Sequence, residues 1–136
     1  MEPAKFSLDK FIFNKVDIDL DNNTGEKLLI DLIPSGIFDA EKSIFNLTFN
    51  FYAFSGRDAK NHFVHVRCMG TFDFENVNKI EDIPSFFYRN SIAILFPYVR
   101  AYISLVTNQA NIPALVLPTM NLVSLEKPLK ENTTQK

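Results

Sequence analysis

Apolar and polar residues alternate along most of the first 74 positions of the chain. In the clearest run, at 43–54, the odd positions from Phe45 to Ala53 are apolar, and three of the four positions between them are Asn or Thr. A period of two is typical of a strand with one buried face. Because four such runs follow one another without a helical pattern between them, the sequence favours an antiparallel sheet. The other three runs lie at 6–20, 27–33 and 61–74.

The pattern changes at Asp82-Ile83-Pro84, a sequence that can begin a helix. We expect the helix to run through Ile92–Thr107, with a kink or break at Pro97 because proline removes a backbone donor. The predicted fold class is α+β: a four-stranded antiparallel sheet, one long proline-kinked helix packed on one face, and a short C-terminal helix or tail. We expect one domain over 1–127 and a polar, flexible tail over 128–136.

The long helix predicts association between copies of the chain. Between Ile92 and Val106 only Arg100 and Ser104 are plainly polar, so the helix is apolar on nearly every side. A sheet covers one side of such a helix, and the other side must be buried by something else. We therefore expect a homo-oligomer with helices at its interface, and 14 Phe among 136 residues agree with an apolar surface beyond one small core.

Composition excludes several classes of protein. A net charge of −2 gives no reason to expect nucleic-acid binding, and the longest apolar stretch, 92–106, is shorter than the ~18–20 residues of a membrane span. The first residues do not resemble a signal peptide, and Cys68 is the only cysteine. We expect a cytoplasmic protein with no membrane insertion.

Two prolines, Pro113 and Pro118, bracket an apolar, non-helical segment within 112–123. This segment could be a loop that packs into its own core, or a flexible apolar wall beside a groove. The sequence pattern alone does not choose between these two interpretations.

The sequence contains no pattern that indicates catalysis, a metal or a cofactor. It has no glycine-rich phosphate loop and no HExxH motif, and Cys68 falls in an apolar register that predicts a buried structural thiol. We expect His62 and His65 to point to opposite faces of a strand, which is unsuited to joint metal binding. The cluster of Asp17, Asp19 and Asp21 is interpreted as a solvated strand face. We predict no catalytic residues.

One segment resembles a known family. Ile94-Leu95-Phe96-Pro97-Tyr98-Val99-Arg100, followed by Ile112-Pro113-Ala114-Leu115-Val116-Leu117 and Asn121, is similar to the SecB export-chaperone family, and Gly70-Thr71-Phe72 resembles its Gly-x-Phe strand end. The resemblance covers about 5–125. It implies a dimer of dimers without enzymatic activity that binds unfolded polypeptides in apolar grooves.

The resemblance and the helix pattern together suggest sites. We expect a peptide groove at Phe49, Phe51, Ile112, Leu115, Leu117, Met120 and Leu122. We expect an oligomer interface at Val64, Val66, Cys68, Phe96, Val99, Arg100 and Ile103. Asp17 and Asp21 resemble the family's acidic pair that docks SecA.

Some positions depart from the family pattern. Thr119 replaces a second proline, His65 replaces an acid, and 122–127 allows barely two helical turns before Pro128. These departures predict at most weak SecA binding, and they resemble SecB-like chaperones of a dedicated client such as an antitoxin. The expected function is an ATP-independent holdase for unfolded preproteins or one client. The alternative is a small-molecule or lipid-binding α+β oligomer with a closed pocket.

Overall fold

The computed structural model describes residues 5–57, 59–117 and 120–136, so Asp58, Pro118 and Thr119 lie outside the described residues. Its strands are β1 (Lys5–Ile18), β2 (Leu28–Asp39), β3 (Ile44–Ser55), β4 (Val64–Glu75) and β5 (Thr133–Gln135). Its helices are α1 (Ser85–Gln109) and α2 (Glu126–Glu131), and short 3-10 turns span Leu20–Asn22, Ile80–Asp82 and Leu122–Leu125. No helix in the described part of the chain has the length and apolar character needed to cross a membrane.

The strands form one five-stranded sheet in the order β1-β4-β3-β2-β5. The first four strands pair antiparallel, as predicted, but β5 pairs parallel with β2 over Gly36–Phe38. The expectation of a four-stranded, purely antiparallel sheet is therefore wrong. Strand β5 has the sequence Thr-Thr-Gln, which carries no alternating apolar pattern, and it becomes a strand only because the chain brings it beside β2.

Strand β1 changes register twice. Irregularities lie between Leu8 and Lys10 and between Phe13 and Lys15, so Asp9 and Asn14 are extra residues opposite β4. The alternation in the sequence predicts that Ile12 faces inward, whereas the structure leaves its side chain 62% exposed. The residues that pair with the positions of β4 facing the core are Phe6, Leu8, Phe11, Phe13, Val16 and Ile18.

Helix α1 covers the apolar face of the sheet. It continues through Pro97 without a break. Its inward side contributes Phe87, Leu95 and Phe96 to the core, and the Phe87 ring packs edge-on against Phe45 of β3 at 4.7 Å. Gly70 allows the close approach of the helix, because a Cβ atom there would lie 3.2 Å from a methyl group of Leu95.

The C-terminal residues are part of the fold. We expected a polar, flexible tail over 128–136, but the structure forms α2 and β5 there, and the Leu129 side chain is fully buried. The expectation of a flexible tail is therefore wrong. A single apolar residue in a polar run produces no periodic signal in the sequence, but its burial is enough to dock the short helix α2 on β2 and α1.

Candidate functional site

A groove runs along the outer edge of β2. Strand β5 covers that edge only at Gly36–Phe38, so among the described residues the part of β2 from Leu28 to Ser35 has no strand neighbour on this side. The groove has a volume of about 220 Å³. We call it the β2-edge groove, and its lining residues are Ile30, Asp31, Leu32, Met120, Asn121, Leu122, Ser124 and Leu125.

Asn121 shapes the wall of the β2-edge groove that faces β2. Its side-chain Oδ1 accepts a hydrogen bond from the Val123 N–H at 3.2 Å, and its carbonyl accepts one from the Ser124 hydroxyl at 3.0 Å. These bonds cap the 3-10 turn Leu122–Leu125. As a result Leu122 and Leu125 are half-buried, while Val123 between them is 50% exposed.

A second cavity, of about 170 Å³, lies where the segment after α1 crosses toward the sheet. Leu115 is fixed beside it, because its N–H donates to the buried Thr107 hydroxyl at 2.8 Å and its carbonyl accepts from Ser104 Oγ at 3.0 Å. We call this the crossover cavity, and its lining residues are Asn23, Gly25, Glu26, Leu28, Phe63, Thr107, Ile112, Pro113 and Leu115.

The structure divides the seven predicted groove residues among three places. Met120 and Leu122 line the β2-edge groove, and Ile112 and Leu115 line the crossover cavity. The others, Phe49, Phe51 and Leu117, are fully buried in the core. We correct their placement, since they face the interior between sheet and helix and present no surface to a ligand in this conformation.

Sequence reasoning missed the contribution of β2 to the groove. Leu28, Ile30 and Leu32 stand at every second position of the run 27–33, which was predicted to be a strand. It did not predict that the strand would lie next to an uncovered edge, because strand order follows from long-range pairing.

The predicted interface residues on β4 and α1 are mostly core residues. Six of the seven, Val64, Val66, Cys68, Phe96, Val99 and Ile103, are buried within the chain, and Arg100 alone is exposed. Their placement is corrected because the buried faces of β4 and α1 pack on each other. Burial also raises the pKa of the Cys68 thiol to about 12, so it stays protonated, in agreement with a structural thiol.

One uncovered apolar surface lies on the side of α1 that faces away from the sheet. Ile94, Tyr98 and Leu105 are 39%, 46% and 54% exposed, and their spacing places them on one side of the helix. The Tyr98 ring stacks on Phe11 of β1 at 4.4 Å, and Phe11 is itself partly exposed. We call these four residues the α1 outer patch.

The solvent-facing side of the sheet is polar and of mixed charge. His62 Nε2 lies 2.8 Å from Asp17 Oδ2, and His65 Nε2 lies 2.8 Å from the Asn50 side-chain oxygen. The two imidazole rings are 5.5 Å apart, so the expectation that they point to opposite faces is wrong. His62 precedes β4, and the strand alternation does not apply to it.

Burial, followed by the electrostatic influence of His62, Lys15 and Arg67, lowers the pKa of His65 below its ordinary value, and the Asp17 carboxylate opposes this shift. Asp17 is already paired with His62, whereas Asp21 is exposed. Within the described residues, no three His, Cys, Asp or Glu side chains come together in a way that could hold a metal ion.

Known proteins are similar to this chain in sequence or in fold. The sequence model of the family described as "Preprotein translocase subunit SecB" matches residues 30–131. A segment of 58 residues is 47% identical to a protein of Methanocaldococcus jannaschii described as uncharacterized, MJ0357. That match covers 40% of this chain and 37% of the relative, so the chain spans little more than a third of the relative's length.

The fold is similar to that of the Mycobacterium tuberculosis SecB-like chaperone Rv1957, solved in complex with a ChAD peptide from the Rv1956 HigA1 antitoxin. The two align with a TM-score of 0.68 over 85% of this chain and 88% of the other, at 15% identity. A chain of unknown function from Streptococcus agalactiae aligns with a TM-score of only 0.43. Because the family match covers most of the sequence and SecB proteins are not enzymes, we conclude that this chain is a non-enzymatic member of the SecB family.

Proposed function

We propose that this protein is an ATP-independent chaperone that holds non-native polypeptides in the β2-edge groove. The observation that carries the proposal is that this groove has leucine and isoleucine side chains on both walls and lies at a stretch of the β2 edge that no described strand pairs with, within the matched residues 30–131. An unfolded chain offers apolar side chains and free backbone groups. The groove walls can bury the former at ~25 cal/mol per Å², and the edge of β2 can pair with the latter.

The client is proposed to bind in an extended conformation. Leu122 and Leu125 on one side and Ile30 and Leu32 on the other leave a narrow space between a 3-10 turn and a strand. An extended segment places alternate side chains on opposite sides, which suits a space of this kind. Asp31 at the rim favours clients whose apolar segments are flanked by basic residues.

Two kinds of client remain within the proposal: preproteins destined for export, and one dedicated protein. The antitoxin peptide bound to the Mycobacterium tuberculosis chaperone supports a dedicated client, such as an antitoxin. Export would require SecA. We propose that SecA binds weakly, because Asp17 already pairs with His62 and because Lys15 and Arg67 lie on the same face of the sheet. A cytoplasmic location is part of the proposal.

We also propose that the protein forms a homo-oligomer, a dimer of dimers, in which the α1 outer patch supplies one of the two interfaces. An exposed apolar surface that extends from Ile94 to Leu105 and across to Phe11 is unfavourable in water. A second copy would bury the same surface on both partners about a two-fold axis.

The alternative of a closed small-molecule or lipid pocket is not favoured by the packing. The phenylalanine rings between sheet and helix contact one another. For example, Phe72 and Phe87 lie 5.5 Å apart, and Phe49 and Phe96 lie 6.2 Å apart. These rings fill the interior volume that an enclosed ligand would need.

The experiment is a binding titration with a permanently unfolded protein, reduced and carboxymethylated α-lactalbumin carrying a fluorescent label. Leu122→Asp with Leu125→Asp should weaken binding at least tenfold, because two charges would enter an apolar groove. Val123→Asp is the matched control, since Val123 lies in the same turn but is exposed. Equal affinity of wild type and the double variant, with unchanged circular dichroism, would refute the proposed site.

A further inference from the structure

The last residues of the chain form a strap on β2. We define the C-terminal strap as residues 132–136. The Gly36 N–H donates to the Asn132 carbonyl at 3.1 Å, and the Lys136 N–H donates to the Phe38 carbonyl at 2.8 Å. In a parallel ladder the backbone groups of every second residue point to the same neighbouring strand. Thr134 lies midway between Asn132 and Lys136, so its backbone N–H and carbonyl point toward β2.

The strap and the β2-edge groove share one strand edge. The groove uses Ile30–Leu32, and the strap pairs with β2 at Gly36–Phe38. An extended peptide advances ~3.3 Å per residue, so a client that pairs along β2 beyond the groove reaches the strap after about four residues. The strap therefore occupies the continuation of the proposed client site.

The same chain segment forms the groove wall and the strap. It passes from the 3-10 turn Leu122–Leu125 directly into α2 and then into β5, and Asn132 Nδ2 donates to the Pro34 carbonyl at 3.3 Å. Any movement that releases the strap also frees the end of the segment that narrows the groove.

Apart from its backbone ladder with β2 and a hydrogen bond from the Thr133 hydroxyl to the Leu129 carbonyl, the strap is held by side-chain contacts at exposed positions. The Lys136 ammonium lies 4.0 Å from Asp39 Oδ2 and is 73% exposed, so this ion pair contributes little. The Gln135 side chain accepts one hydrogen bond from the Ile80 N–H at 3.2 Å. A three-residue edge strand whose side chains are mostly exposed belongs to the least stable part of a fold, which opens before the core does.

We propose that the C-terminal strap is an intramolecular competitor for the client: it occupies the β2 edge in the free protein and is displaced when a long extended client binds. This inference rests on the proposed function. Because the strap must open first, it lowers the affinity for long clients, whereas short peptides that fit within the β2-edge groove bind without displacing it.

A reversible cross-link tests the competition. Ile37 of β2 lies opposite Thr134 of the strap, and both side chains are exposed on one face. The double variant Ile37→Cys with Thr134→Cys should form a disulfide, since directly paired strand residues lie within the required Cα separation. Cys68 is buried and does not compete.

The oxidised variant should bind labelled, carboxymethylated α-lactalbumin about tenfold more weakly than the same protein after reduction. Wild type treated with the reductant serves as the control and should not change. Equal affinities of the oxidised and reduced forms would overturn the strap proposal. If wild type still binds the labelled protein in that case, the chaperone proposal is unaffected. Absence of binding by wild type would overturn both.

A second pair of variants needs no cross-link. Thr134→Pro removes the backbone donor that faces β2 and should tighten binding of the same labelled protein about threefold or more, whereas Thr134→Ala keeps the donor and should match wild type. Unchanged or weaker binding by Thr134→Pro, with the circular dichroism spectrum retained, would contradict the competition.

Discussion

Replacing Leu129 by alanine should destabilise the whole protein, although this residue lies only seven positions before the last residue of the chain. Its side chain is fully buried where α2 docks on β2 and α1. The substitution removes three buried carbon atoms, a loss of about 2.4 kcal/mol at ~0.8 kcal/mol each. The remaining cavity increases the cost, so we expect the free energy of unfolding to fall by about 2.5–4.5 kcal/mol.

The measurement is equilibrium unfolding in urea, followed by circular dichroism at one fixed protein concentration because the protein is proposed to associate. Lys127→Ala is the matched control within the same helix. Its side chain is 85% exposed and lies 3.8 Å from Glu131, so its loss should change the free energy of unfolding by less than about 0.5 kcal/mol.

The slope of the free energy against urea concentration should be the same in wild type and in the Leu129→Ala variant, because both unfold from the same compact state. A loss below about 0.5 kcal/mol for Leu129→Ala, equal to the control, would refute the docking of α2. It would restore the interpretation of residues 128–136 as a polar tail, and the strap proposal would fall with it.

Four further predictions can be tested separately. Ile94→Asp should reduce the mass measured by light scattering from a multiple of 15.6 kDa toward the 15.6 kDa of a single chain, whereas Val123→Asp should leave the mass unchanged. A wild-type mass of 15.6 kDa would contradict the proposed oligomer. His65 has a folded pKa below its unfolded value of 6.5, so the unfolded chain takes up the proton first and stability should fall as the pH drops from about 7 to 5. His65→Gln should flatten that part of the urea-unfolding profile, and an unchanged slope would contradict it. Gly70→Val should lower the urea midpoint, because its Cβ would lie 3.2 Å from Leu95 and its methyl groups would press on α1, and an unchanged midpoint would argue against close packing there. SecA binding should be weak and should decrease further between low and physiological salt in a titration, and tight, salt-resistant binding would restore a full export role.

The sequence determined the parts of the fold that depend on local periodicity. The alternation over 43–54 and 61–74 corresponds to β3 and β4, and the change of pattern after Pro84 corresponds to α1. The proline inside α1 did not end the helix, because the buried side of α1 is held on the sheet by residues on both sides of Pro97, including Leu95 and Val99. The family resemblance was also present in local motifs, and the match over 30–131 confirms it.

The placement of the candidate site required the tertiary structure. Whether an apolar residue such as Phe49 lines a groove or fills the core depends on which strand lies beside it, and the identity of that strand is decided by pairing between residues far apart in sequence. The bulge at Asp9 moves the inward positions of β1 from even to odd numbers, and the bulge at Asn14 moves them back. Only Phe11 and Phe13, between the two bulges, therefore depart from the simple alternation.

The short C-terminal elements α2 and β5 show most clearly the difference between what the sequence pattern determines and what the tertiary structure decides. Thr133 and Thr134 are β-branched and compatible with a strand, but three residues are too few for a periodic pattern that would distinguish them from a frayed end. They become a strand because one buried leucine docks α2 and thereby brings their backbone to the unpaired edge of β2. Local patterns in the sequence therefore determined which segments are strands and helices. Tertiary contacts decided which strand edge stays open, since hydrogen bonds across a sheet form only between segments that the rest of the fold has already brought together.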